Sequence, residues 1–168
     1  MKKYLFLVVV FFVGCDRDLY TESELKSVLG VEVNIDERVF YINEWAGTRG
    51  DGYTLSVYGL SESTIYRFVN GRGKASYPQL SQFEGWRFFT WEVAPIKNDY
   101  QEVYDMLTSY SSDNEQRNEI VNELKNMLAS KQCYYAFYSK RDLDYPSSVC
   151  FFLINPSKGY LYIVEVSV

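Results

Sequence analysis

The sequence predicts an α+β domain: a mainly antiparallel sheet ending in a C-terminal three-strand meander, with helices packed on one face. Three observations predict it. Segments whose apolar residues recur every three or four positions alternate with segments where they recur every second position. Capping residues stand directly ahead of the helical segments. The last three strand segments, roughly 134–140, 148–154 and 160–167, follow one another closely, and an antiparallel meander is their economical arrangement.

Taken in order, Thr21-Glu22-Ser23-Glu24 is a capping box, Leu25, Val28 and Leu29 form an apolar stripe and Gly30 is a stop, so residues 22–29 are a short helix. Val31, Val33 and Ile35 alternate with polar residues as a short strand, and Arg38 to Ala46 form a stronger one. After the turn-forming GTRGDG of residues 47–52, Tyr53 to Leu60 place Tyr53, Leu55 and Val57 on one face and Thr54, Ser56 and Tyr58 on the other, completing a hairpin. Ser61 caps a helix carrying Ile65, Phe68 and Val69 that ends near Asn70-Gly71. Residues 71–85, GRGKASYPQLSQFEG, lack periodicity and read as a long surface loop. WRFFTWEVA, residues 86–94, is a strand closed by Pro95. Asp99 to Glu102 and Ser112 to Glu115 are further capping signals, each opening a helix with an apolar stripe. The final two strands are joined by Asn155-Pro156-Ser157-Lys158-Gly159.

Ahead of the domain, MKKYLFLVVVFFVG sets Lys2 and Lys3 before an apolar run from Tyr4 to Val13. Ten helical residues at about 1.5 Å each reach only half of a roughly 30 Å hydrocarbon core, so the run is a cleaved signal rather than a span. Phe12-Val13-Gly14-Cys15 resembles the lipobox of bacterial lipoproteins, with Phe12 in place of the usual aliphatic residue. The resemblance implies cleavage before Cys15, which would carry a diacylglycerol and an N-acyl chain and no other cofactor. Two or three acyl chains at about 0.8 kcal/mol per buried CH₂ make a stable anchor. Asp16 resembles the signal that holds such lipoproteins at the inner membrane, facing the periplasm. The organisation is then a signal peptide at 1–14, a lipidated tether at 15–20 and one globular domain at 21–168.

Without its first fourteen residues the chain has 154, enough for a single core, and loses two lysines and no acid, so its formal charge moves from −5 to −7. No basic cluster marks a nucleic-acid partner. Cys133 and Cys150 leave two readings open, a disulfide or two buried free thiols; a hairpin turning near Asp144 sets Phe137 to Ser139, not Cys133, opposite Cys150.

The chain contains no histidine, which removes Ser-His-Asp and Cys-His catalysis, His-ligated zinc and histidine proton shuttles. Ser23-Glu24-Leu25-Lys26 and Ser112-Asp113-Asn114 match two elements of the penicillin-recognising enzymes, but the third is absent and both segments serve as helix starts. Gly71-Arg72-Gly73-Lys74 lacks the remainder of a phosphate loop. Carboxylates such as Asp36-Glu37 or Asp142 with Asp144 cannot be brought together by spacing alone. No metal-ligand spacing is present either.

Aromatic residues are the compositional excess, with 16 Tyr, 11 Phe and three Trp, only four of them in the signal. Tyrosine and tryptophan combine apolar area with a polar tip, so an excess points to a recognition surface. Trp45, Tyr53, Tyr58 and Tyr77 are candidates for it, together with Trp86 and Trp91. Arg49 and Asp51 flank the patch in the turn. The expectation is a lipid-anchored, non-enzymatic module that binds a protein partner, including the immunity or inhibitor type. The alternatives are a cell-wall-directed carboxylate hydrolase and a structural accessory of an envelope complex.

Overall fold

The computed structural model describes residues 20–45, 51–71, 73–110 and 112–168. The signal, Cys15, Asp16 and Arg49 lie outside the described residues. Ten elements follow in the order α1 (Glu22–Leu29), β1 (Ile35–Trp45), β2 (Gly52–Leu60), α2 (Glu62–Asn70), β3 (Arg87–Val93), α3 (Gln101–Ser109), α4 (Glu115–Leu128), β4 (Tyr134–Lys140), β5 (Ser148–Asn155) and β6 (Tyr160–Ser167). The six strands form one sheet in the order β1-β2-β6-β5-β4-β3. Every neighbouring pair is antiparallel, and β4 to β6 are the meander. Tyr138 faces Cys150, as the hairpin turning near Asp144 requires.

The helices do not share one face. Val103 and Leu107 of α3 with Val121, Leu124 and Leu128 of α4 pack on Tyr135, Phe137, Phe151 and Val164. Leu25, Val28 and Leu29 of α1 with Phe68 of α2 pack on Tyr58, Phe152, Leu161 and Ile163, which point the other way. The cause is in β5, where every residue from Val149 to Ile154 is buried. A strand apolar on both faces has to be covered on both. The same alternation separates the cysteines: Cys133 belongs to the α3–α4 core and Cys150 to the α1–α2 core, both free and buried. The disulfide reading is therefore corrected to two free thiols.

Local chemistry explains the boundaries. Both halves of the α1 capping box form, Glu24 N–H donating to Thr21 Oγ1 at 3.3 Å and Thr21 N–H to Glu24 Oε2 at 2.8 Å. Gly30 closes α1 at φ 72°, and a Cβ there would stand 2.4 Å from the Tyr77 ring. The expected strand at 31–35 is absent: Asn34 N–H donates to Thr64 Oγ1 and Asn34 O accepts from Ser61 N–H, so α2's start takes bonds that a ladder would need. The extended run begins instead at Ile35 and continues through bulges to Trp45. Asp99 lies in a 3₁₀ turn ahead of α3, which has no side-chain cap. Asn114, not Ser112, caps α4 by accepting from Arg117 N–H. The 71–85 segment is pinned rather than lying free on the surface: Gln79 N–H donates to Ser27 O at 2.7 Å and buried Leu80 to Tyr138 Oη at 2.6 Å.

Candidate functional site

The strand register lays the α1–α2 face out as rows running across the sheet. One row is Tyr58–Leu161–Ile154 and the next Ser56–Ile163–Phe152; beyond them come Thr54–Glu165–Cys150 and Gly52–Ser167–Ser148. The change from apolar to polar comes at Ser56 on β2, one row later at Glu165 on β6 and last at Ser148 on β5. Helices α1 and α2 cover the apolar rows. The polar rows floor a groove of about 550 Å³.

The walls come from the two edges of the sheet. On one side stand Tyr41, Asn43 and Trp45 of β1; on the other stand Gln82, Phe83 and Trp86, just before β3. Trp45 pairs across from Gly52, and a Cβ on that glycine would lie 2.3 Å from the indole. The glycine lets the ring lie flat on the sheet, and Trp45 Nε1–H donates to Thr54 Oγ1 at 2.8 Å, fixing its orientation with 46% of the residue exposed. Opposite it, Phe83 stacks on Tyr138 at 4.7 Å and Trp86 packs edge-on against Phe83 at 4.9 Å.

Tyr20 and Glu24 close the α1 end. Tyr20, grouped with the tether on sequence, belongs to the domain: its ring meets Phe152 edge-on and its hydroxyl donates to Glu165 Oε1 at 2.6 Å. Tyr20 Oη also lies 3.3 Å from Cys150 Sγ. With Tyr20's one proton directed at Glu165, the thiol is the donor in that second contact. Burial pushes the Cys150 thiol well above its ordinary range, with the Glu165 charge adding to it. Burial likewise raises Tyr20, with Cys150 and Glu165 reinforcing it. Both groups stay protonated at neutral pH, and a buried thiol held in that form is not a nucleophile. The arrangement holds a carboxylate in place and presents two ring systems.

Of the residues singled out on sequence, Trp45 and Trp86 line this one groove. Tyr77 is half-buried against Gly30. Asp51 is exposed at the start of β2. Tyr53, Tyr58 and Trp91 are corrected to core residues. Tyr53 is fully buried, stacked on Tyr110 at 5.2 Å; Tyr58 is buried on the opposite face, and Trp91 Nε1–H donates to Val28 O at 2.9 Å. Their side chains are taken up in the two cores, and none of the three lines the groove.

Glu165, Tyr20 and Phe83 were not singled out. A signal existed for Glu165, a charge inside the apolar run of β6; none existed for Tyr20, whose role depends on a partner 145 positions away. Asp142 is paired with Arg87 at 2.8 Å, away from the groove. Among the described residues no group of three or more His, Cys, Asp or Glu is placed to hold a metal. Among them also, no helix is long and apolar enough to cross a membrane. Comparison with protein-family models, with curated proteins and with solved structures finds no match to this chain.

Proposed function

We propose that this chain is a lipid-anchored cell-envelope protein whose domain is a non-enzymatic module holding a protein partner, a class that includes the immunity and inhibitor types. One observation carries the reading: two tryptophans from opposite edges of a six-stranded sheet flank a single polar-floored groove. Aromatic anchors at the centre of a contact supply most of its binding energy, and a ring whose orientation is already fixed loses little freedom on binding. The lipobox resemblance supplies the anchor at Cys15, on the periplasmic side of the inner membrane. Tyr20 is built into the groove wall, so at most five residues of chain, about 18 Å when extended, separate the groove from the acylated cysteine. The partner is therefore met close to the membrane surface.

The test compares the protein that co-purifies with the anchored full-length chain across variants that remain folded. Trp45→Ala and Trp86→Ala should each weaken that association by about 2 kcal/mol, whereas Asp51→Asn should mainly slow it at low salt. Cys15→Ser should release the chain from membranes. Unchanged affinity in both tryptophan variants refutes the groove, and a Cys15→Ser chain that stays with membranes through a high-salt wash refutes the anchor.

A further inference from the structure

Among the described residues, the lining of the groove holds two carboxylates, Glu24 and Glu165, and no lysine or arginine. Neither acid enters any of the four ion pairs formed among the described residues. The nearby cations lie against rings instead: the Arg38 guanidinium is 5.7 Å from the centre of Tyr41 and Lys140 Nζ 6.0 Å from that of Trp86.

Glu165 is the more telling of the two. It sits half-buried in the sheet, beside Thr54 on β2 and Cys150 on β5. The Tyr20 hydroxyl takes one carboxylate oxygen, and the other has no hydrogen-bond donor among the described residues. That second oxygen opens onto the groove, where it is free to take a cationic donor. The exposed Trp45 indole stands over the same floor, and an indole face attracts a cation as well.

We infer that the groove takes an extended segment of its partner protein bearing a lysine or arginine, whose cationic end pairs with Glu165 while its stem lies along the tryptophan wall. The inference rests on the binding reading above and adds the chemistry of the occupant. Guanidinium and ammonium groups on a long apolar stem suit a site with a carboxylate at the bottom and aromatic rings at the rim.

The test selects ligands for the full-length chain, held in detergent micelles, from phage-displayed random heptapeptides at physiological salt. The recovered peptides should be enriched in Arg and Lys and should depend on Trp45 and Trp86. Glu165→Gln keeps an acceptor for Tyr20 while removing the charge, and should weaken them about tenfold or more. Replacing the peptide's arginine by citrulline tests the same pairing with the protein untouched, so a Glu165→Gln chain that folds poorly does not block the result. Peptides that need both tryptophans yet tolerate citrulline overturn the cationic occupant and leave the groove reading standing. Peptides indifferent to Trp45→Ala and Trp86→Ala, or no enrichment at all, overturn both.

Discussion

On the α3–α4 face, Phe137 is fully buried, stacked on Phe89 at 4.3 Å and met edge-on by Tyr100 at 5.0 Å. On the α1–α2 face, helices of eight and nine residues stop partway along the strands and leave the rows of Thr54, Glu165 and Ser167 in a groove. The same strands build both faces, and the difference lies in how far the covering layer extends. Helix α4 alone runs 14 residues. At about 1.5 Å per residue α1 and α2 reach only about 12–14 Å each, short of strands that span roughly 25 Å or more. The groove is therefore the uncovered remainder of a core face, which is why aromatic walls meet a hydrogen-bonded polar floor there.

If the α3–α4 face is the stabilising one, Phe137→Ala should cost about 3–5 kcal/mol, read as a lower urea midpoint at unchanged slope. A loss of less than about 1 kcal/mol would break the comparison.

A smaller effect is expected at Arg117, a charge sealed inside that same face. The residue is 2% exposed, and its guanidinium lies 4.2 Å from the centre of Tyr53 and 5.5 Å from that of Tyr110. Its Nη1 donates to Tyr110 O at 2.6 Å and Asn118 Oδ1 at 3.1 Å. None of the ion pairs among the described residues includes it. The aromatic faces and the two acceptors on Nη1 offset part of its desolvation, while Nε and Nη2 are buried without a hydrogen-bond partner among the described residues. Arg117→Ala should destabilise by about 2 kcal/mol, because it removes a filled volume and leaves the Tyr110 carbonyl without its donor. Thermal melts showing no change would mean that the charge costs as much as its contacts contribute.

The smallest effect should be at the rim. Trp45→Ala should change stability by no more than about 1 kcal/mol while weakening partner binding, since 46% of the residue is exposed. Trp86 is half-buried against Phe83, so Trp86→Ala should cost more than that but stay well below Phe137→Ala. A melting loss as large as that of Phe137→Ala would make the rim part of the core and erase the contrast between the faces.

Much of the fold was legible in the sequence because its causes are local. The capping box at Thr21, the stop at Gly30, the hairpin of Tyr53 to Leu60 and the three closing strands all depend on neighbours within a few positions. Trp45 and Trp86 were legible as surface candidates because both stand beside turn segments. Tertiary structure alone decided that β1 and β3 would be the opposite edges of one sheet, bringing those tryptophans to a single groove while taking Tyr53, Tyr58 and Trp91 into the two cores. It also decided which face each cysteine occupies, and that Tyr20 would meet Glu165. A period of two says that residues alternate between faces; it does not say whether a helix will cover a given face, or how far along the strand. That depends on helix length and strand order, which are settled by packing between segments far apart in the chain.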